Sequence, residues 1–548
     1  CCTSCNPCGG TRNFRKKRIR KYGNVNGKSF YITTPIYYVN DSPHIGHAYT
    51  TIACDVMARF MALDGHDVKF LTGTDEHGQK VDKAAKAAGI EPQAFVDEVS
   101  QRFRYLVHDP LREGGGDNVL GVSNSDFIRT TEARHKAAAQ ALWQRIADNG
   151  HIYLDTYKGW YSVRDEAYYA ESELTERDGR KIAPSGAEVE WVEEESYFFR
   201  LSVFEDKLLE LYNSQPDFVL PQSRLNEVKS FVKGGLRDLS ISRTNFRWGV
   251  PVPGDEKHVM YVWIDALTNY LTSAGFPDES AEGYRKFWAD DTSAGPVHVV
   301  GKDILRFHAV YWPAFLMAAE LPLPKRVVAH GWWTIEGEKM SKSLGNVLSP
   351  EHMSERAGGM DQLRYFMLRA MPFGNDGDFS QDALVETVNA DLANNIGNLA
   401  QRVLSMIQKT CEGRVPESET VKPFFDLSVA QSIHQQMERC QFSVAISAIT
   451  GVASALNEYV ATEEPWVKKK EGKEKELHQI LYNVVENLRR VYLYLQPFCP
   501  EAAAKLLDQL AVPEDQRDVA HLDEQYALTS GTPLPKPEGV FPRLEKKG

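Results

Sequence analysis

The hydrophobic rhythm of the chain changes several times, and the changes divide it. From Ser29 an apolar run, SFYITTPIYYV, ends at Asn40, Asp41 and Pro43 and reads as a buried strand. Beyond that turn Ile52, Val56, Arg59, Phe60 and Leu63 recur at helical spacing up to a stop at Gly65, and DVKFLTGTDEHG supplies a second strand. Strand, helix, strand with short links predicts the start of a parallel α/β sheet. Between 140 and 251 the rhythm breaks into aromatic, alternating stretches, GWYSVRDEAYYA and GAEVEWVEEESYFFRLS, around the polar turn TERDGRK, which predicts an inserted domain. The short apolar runs YVWIDAL, PVHVVGKDI and KRVVAHGWW then predict the second half of the sheet. Past Phe379 the strand signals fade. Leu392, Ile396, Leu399, Val403 and Met406 step by three and four, and proline and glycine thin out over 380–410, 427–463 and 474–496, so a C-terminal helix bundle is expected. No internal repeat is visible.

Composition narrows the class. At 548 residues the chain exceeds one ordinary core, and two to four packed units are expected. Hydrophobic residues at 42% and charged residues at 25% match a soluble protein, and no segment of about 18 residues is expected to span a bilayer. The net charge of -12 argues against nucleic acid as a partner of the whole surface, yet local basic patches decide such binding, so it stays open.

Cys1, Cys2, Cys5 and Cys8 crowd the start, while Cys54, Cys411, Cys440 and Cys499 are scattered, so no disulfide framework is expected. The Cys-x2-Cys-x2-Cys spacing lacks completing ligands, and no metal site is expected there. Residues 1–28 hold eight Lys or Arg and no Asp or Glu. With no apolar central run, this stretch resembles an organellar leader more than a secretory signal; a solvated disordered tail is the plain alternative. The expected compartment is mitochondrion and/or plastid, with bacterial cytoplasm as the alternative.

Two motifs carry chemistry. Pro43-His44-Ile45-Gly46-His47 sits where the first strand turns into the first helix, whose N-terminus offers free N–H groups and partial positive charge to the phosphates of a nucleotide. Gly46 removes a side chain where the nucleotide could approach the backbone. The bland reading is that both histidines merely cap the helix. Lys339-Met340-Ser341-Lys342-Ser343 lies in a glycine-flanked stretch, EGEKMSKSLGN, that reads as a mobile loop. Its lysines suit a triphosphate whose charge grows on the leaving pyrophosphate.

HIGH and KMSKS in this order resemble the class I aminoacyl-tRNA synthetases. TTPIYYVNDSPHIGH, FLTGTDEHG, YVWIDALTNY, GKDILRFHAVYWPA and AHGWWTIEGEKMSKSLGN resemble the methionyl branch, covering about 29 to 350 with weaker similarity beyond. The resemblance implies a split Rossmann-type parallel sheet with an inserted connective domain and a C-terminal α-helical bundle. The corresponding divisions are a leader at 1–28, catalytic halves at 29–139 and 252–347 around an insert at 140–251, a linker or stem-contact region at 348–385, and an anticodon-binding domain at 386–548.

It also implies roles. His44, His47, Lys339 and Lys342 would be catalytic. ATP would be held by these four with Gly46, Met340, Ser341, Ser343, Gly301, Asp303 and Ile304. Ile36, Tyr38, Trp263, Tyr270 and His308 would line a methionine pocket, with Asp75 on the ammonium; aromatic walls suit a polarizable thioether and a carboxylate suits an amine. Arg243 would stand near the loop. Asn398, Arg402 and Trp466 would read the tRNA(Met) anticodon, Asn395, Asn398 and Arg402 forming one polar helix stripe. ATP and Mg2+ would be the cofactors. No cysteine lies between Trp160 and Trp191, so the zinc knuckle of many relatives is not expected. A monomer without membrane association is expected. The alternatives are another class I synthetase, or a non-catalytic RNA-binding descendant.

Overall fold

The structure is a computed structural model that describes residues 28–545 apart from 40–41, 109–115, 166, 291–294, 336–337, 340–347 and 419. The leader and Met340, Ser341, Lys342 and Ser343 lie outside the described residues.

The apolar runs form one parallel sheet. In chain order its strands are β1 (Ser29–Thr33), β2 (Tyr37–Tyr38), β3 (Asp67–Asp75), β4 (Asp126–Arg129), β5 (Val219–Leu220), β6 (Val297–Gly301) and β7 (Arg326–His330). They pair in the order β5, β7, β6, β1, β3, with β2 prolonging β1 along β3 and β4 on the far side of β3. The chain moves outward from β1 to β4 and later returns to lay β6 on the other side of β1. That reversal leaves a crevice beyond the carboxyl ends of β1 and β6, the usual binding place in such sheets. Helix α1 (Ile45–Leu63) leads from β2 into β3.

The run SFYITTPIYYV is two strands. Pro35, with no N–H to give the ladder, interrupts it, and Ile36 falls in the break. YVWIDAL is also not the strand its apolar run suggests. The strand there is Asp255–Met260, and Val262–Leu267 is a helix behind it.

Residue 140 lies inside the helix Ala133–Asp148, and β5, from the stretch read as an insert, completes the main sheet. The antiparallel part of the insert runs from Ile152–Ser162 to Glu190–Phe199, with Leu239–Ser240 at its edge.

Alternation along β1 sends Phe30 and Ile32 to one face and Tyr31 to the other. The Phe30 face packs on α1, and that core continues without a break through Phe366, Leu399, Leu456 and Leu488 of the C-terminal helices. Leu392, Ile396, Leu399 and Val403 are buried as their spacing predicts. One helical stretch, Phe442–Lys470, is long and apolar enough by length and composition to cross a membrane, which corrects the expectation that none would be. Its inward residues, among them Ala445, Ile446, Ile449 and Leu456, pack in the core.

A buried ion pair joins α1 to the segment that follows the sheet. Arg364, on helix Met360–Arg369, places Nη2 2.6 Å from Asp55 Oδ2 in the middle of α1. The same guanidinium donates to the carbonyls of Leu120, Pro497 and Phe498. Asp55 also accepts from Arg59 Nε at 2.7 Å and from Ser123 N and Oγ at 2.6 Å. Burial by itself would raise the Asp55 pKa, but Arg364 and Arg59 hold it below the ordinary value.

Because the folded pKa lies below the unfolded value near 3.9, this stabilisation is present above about pH 4 and is lost as pH falls through the folded pKa. Arg364→Ala leaves a buried carboxylate short of its main partner and is expected to cost ~3–5 kcal/mol. Thermal melts check this: Arg364→Ala should fall well below Arg59→Ala, whose arginine is partly exposed, and equal melting temperatures for the two would refute the assignment.

Candidate active site

The crevice at the strand reversal is a cleft of about 1210 Å³. Its walls include every described residue that the sequence assigned to the small substrates and whose side chain is resolved: Ile36, Tyr38, His44, Gly46, His47, Asp75, Arg243, Trp263, Tyr270, Gly301, Asp303, Ile304 and His308. Lys339 contributes its backbone to a two-residue strand, Glu338–Lys339, pairing with Trp333–Ile335.

At the floor, α1 begins with a reciprocal cap made by the two histidines. Gly46 N donates to His44 Nδ1 at 3.1 Å, and His44 N donates to His47 Nδ1 at 3.1 Å. The capping reading of the motif is therefore met by both histidines. With each Nδ1 accepting, each neutral ring carries its proton on Nε2, which becomes a donor. Burial first, then the neighbouring His44, push the His47 pKa well below the usual value, so the ring is neutral at physiological pH. Gly46 serves the cap as well: a Cβ there would lie 3.0 Å from His44 Cε1, so glycine leaves room for the ring.

The other end is aromatic. Trp263 stacks flat on Phe307, centroids 3.6 Å apart. Tyr270 lies 2.7 Å through its hydroxyl from His308 Nε2. His308 Nδ1 faces the Ile304 carbonyl at 3.0 Å and so bears the proton, which makes Tyr270 the donor to Nε2. Burial lowers the His308 pKa to about 4, leaving it neutral. A π-helical turn, Phe307–Tyr311, carries this histidine, a geometry found often at functional sites. Asp75 ends β3 at the cleft and is largely buried.

At the Gly301 end, Asp303 Oδ1 accepts from Trp332 Nε1 at 3.1 Å. A Cβ on Gly301 would sit 2.5 Å from that same oxygen, so a larger residue would have to displace the Asp303 carboxylate from its bond to Trp332. Arg243 is buried, donates to Ser240 Oγ and the Ser242 carbonyl, and faces the ring of Tyr261 at 4.6 Å.

Several cleft residues went unread in the sequence. Lys302 pairs with Asp376 at 2.6 Å and lies 4.2 Å over the Trp332 ring. Arg164, Asp165 and Tyr169 reach the cleft wall from the insert. His77, Asp265 and His135 form a buried chain beneath it. Only the closeness of His77 to Asp75 and of Asp265 to Trp263 hinted at the last group.

In the helical part, Asn398 and Arg402 are exposed, and Arg402 donates to Asn457 Oδ1 at 3.0 Å. Asn395 departs from the single polar stripe: it bonds the Thr450 carbonyl and Asn457 of the neighbouring helix, so it acts within the bundle. Trp466 is 38% exposed on the short helix Pro465–Lys470, which opens at Glu464 in a left-handed turn.

Comparison with known proteins follows the same map. A family model described as tRNA synthetases class I (M) matches residues 30–404, and the anticodon binding domain of methionyl tRNA ligase matches residues 422–547. A methionine–tRNA ligase of Mesorhizobium japonicum is 54% identical over 95% of this chain and 99% of its own length. One from Rickettsia bellii is 51% identical over 94% and 99%. Methionyl-tRNA synthetase of Mycobacterium tuberculosis bound by methionyl-adenylate superimposes with a TM-score of 0.87 at 47% identity, covering 94% of this chain and all of that one.

The cap geometry yields a prediction. His47→Asn keeps a side-chain oxygen for the cap but removes the Nε2 donor, so adenylate formation should slow by ~10²-fold or more while the melting temperature stays within a few degrees. Single-turnover kinetics with calorimetry checks both, and an unaltered rate would leave His47 a cap alone.

Proposed function

The chain belongs to the methionyl-tRNA synthetases, and from that membership we propose a role for each part of the cleft. The enzyme activates methionine with ATP to methionyl-adenylate and ligates it to tRNA. The observation that carries the assignment of roles is the convergence of His44, His47, Asp75, Trp263, Tyr270 and His308 on one cleft at the strand reversal.

Methionine lies with its ammonium on Asp75 and its thioether among Ile36, Tyr38, Trp263, Tyr270 and His308. Neutral His308 and Tyr270, already bonded to each other, leave no unpaired charge to repel an apolar chain. The adenosine lies against Gly301, Asp303 and Ile304. The methionine carboxylate then attacks the α-phosphate in line, so positioning and charge stabilisation supply the catalysis and no general base is required.

His44 and His47 donate through Nε2, and the N-terminus of α1 adds its dipole. Lys339 and Lys342, with Met340, Ser341 and Ser343, offset the charge of the departing pyrophosphate, and Arg243 acts with them. The imidazole and N–H donors at this end fit anionic oxygens rather than a cation, so Mg2+ would arrive with the nucleotide and would supply positive charge against its phosphates. The 2′-hydroxyl of the terminal adenosine takes the methionyl group.

The insert holds no zinc in this reading. Asp165 organises its turn instead, accepting from Tyr169 at 2.9 Å and from Ser185. Asn398, Arg402 and Trp466 read the anticodon; the exposure of all three supports it. The chain acts as a monomer.

For the compartment, the basic, acid-free residues 1–28 support mitochondrion and/or plastid; the relatives named above are bacterial, and bacterial cytoplasm is the alternative. A fluorescent protein carrying residues 1–28 should enter isolated mitochondria or chloroplasts; exclusion from both favours the alternative.

Two variants separate the two steps. Lys342→Ala should slow adenylate formation with methionine affinity nearly unchanged, since the lysine meets charge that develops only in the transition state. Trp466→Ala should spare methionine-dependent pyrophosphate exchange yet cut charging by roughly ten to a hundredfold, the worth of ~1–3 kcal/mol of base stacking. Wild-type adenylation by the first, or normal charging by a stably folded form of the second, removes the residue from its role.

A further inference from the structure

Two halves of the methionine pocket come from distant parts of the chain. Asp75 ends β3, while Trp263 lies on Val262–Leu267 and Tyr270 on Asn269–Ala274. What joins them is the carboxylate of Asp265, fully buried behind the aromatic wall. Two positions apart on a helix are about 200° around the axis, so Asp265 points away from the cleft that Trp263 lines.

Asp265 Oδ2 lies 2.7 Å from His77 Nδ1, two residues beyond Asp75, and Oδ1 lies 2.7 Å from His135 Nε2 on helix Ala133–Asp148. His135 Nδ1 in turn meets Thr272 Oγ1 at 3.3 Å, on the helix of Tyr270. The strand end is held from its other side too. Glu76 accepts from Arg129 Nε at 2.7 Å and Thr131 Oγ1 at 2.5 Å, and its carbonyl accepts from Trp248 Nε1 at 2.6 Å.

We infer that Asp265, bridged between His77 and His135, is a positioning residue that fixes the distance from the ammonium-binding carboxylate of Asp75 to the aromatic wall, and so sets the length of amino-acid side chain the enzyme accepts. The inference rests on the reading of Asp75 as the ammonium partner. A pocket can use one methylene to discriminate only if its two ends cannot drift apart. Here the ends are linked by a short buried bond with a charged acceptor, the strong kind. Burial disfavours the Asp265 anion, yet its two histidines hold the pKa below the usual value, so the acceptor is charged.

The test uses pyrophosphate exchange by the full chain with methionine and with ethionine, one methylene longer. His77→Leu removes the bond at similar volume; His77→Asn returns an amide N–H near the place of Nδ1. His77→Leu should raise the methionine KM by ~10-fold with the ATP KM within about twofold, and should lower the preference for methionine over ethionine by ~10-fold. His77→Asn should recover to within about threefold of the parent.

An unchanged preference in folded His77→Leu, or His77→Asn behaving like His77→Leu, overturns the brace. Should His77→Leu not fold, isosteric Asp265→Asn carries the same comparison, with a loss of preference of roughly threefold expected and none overturning it. Asp75→Asn distinguishes the underlying reading: normal methionine saturation in that variant removes the ammonium site itself. Lost saturation there beside an unchanged His77→Leu preference removes only the brace.

Discussion

Most of α1 is buried, and one interaction sets where that helix lies: the contact of Asp55 with Arg364, neither of which reaches solvent. A buried ion pair is costly to assemble and costlier to break, so it tolerates little displacement of either partner. Arg364 also collects carbonyls from Leu120 and from Pro497 and Phe498, which places the catalytic sheet and the last long helices around a single guanidinium. The N-terminus of the same α1 presents His44 and His47 to the cleft. Its C-cap, Asp64, lies 3.8 Å from His434 of the bundle. The proposed phosphate chemistry and the domain packing are thus referred to one helix.

The charges in the cleft follow from that rigidity. Fixed groups on the sheet, on α1 and on the π-helical turn are held neutral: burial lowers the pKa of His47, His298, His308 and His330. A permanent cluster of buried imidazolium ions would need counter-ions and would compete for the carboxylate of the substrate. N–H donors give direction without that cost. The positive charge for the reaction is, in the proposed mechanism, the part of Lys339 and Lys342.

Much of this was legible because the deciding signals are local. A strand, a tight turn and a capped helix need only neighbouring residues, so β1, α1, β3 and the His44–His47 motif could be read directly. The C-terminal helices were readable from the spacing of Leu392 to Val403 for the same reason. YVWIDAL misled because a buried helix of six residues has no polar face, and its apolar run matches that of a buried strand. The break at Pro35 was visible but its consequence was not, since only pairing with β3 shows that the strand resumes at Tyr37. β5 was missed because two residues cannot display a period. Asp265, His77 and His135 were invisible as a group: their separations of 188 and 130 residues exist only once the sheet is assembled. Gly46 was read as clearance for a nucleotide, whereas the nearest atoms it clears belong to His44.

The distribution of rigidity follows what each part has to recognise. Discriminating an apolar side chain depends on shape, because one methylene is worth only ~1–3 kcal/mol, and a wall that yields loses even that. At the proposed methionine end Tyr270 and His308 are buried and cross-bonded, and Tyr31 donates to the Tyr270 carbonyl at 3.0 Å, while Ile36, Tyr38 and Trp263 are half-buried. RNA bases offer flat faces and polar edges, which can be met by side chains that move, and recognition gains from groups already at the surface. Asn398, Arg402 and Trp466, proposed above to read the anticodon, are exposed, and Asn395 and Asn457 tie together the two helices beneath Asn398 and Arg402. On these proposals one fold holds a stiff gauge for a small molecule and a more open surface for a large one. The continuous core beneath both makes that compatible: rigidity is set by how many buried partners each side chain has, and that number changes along the molecule without a break in the packing.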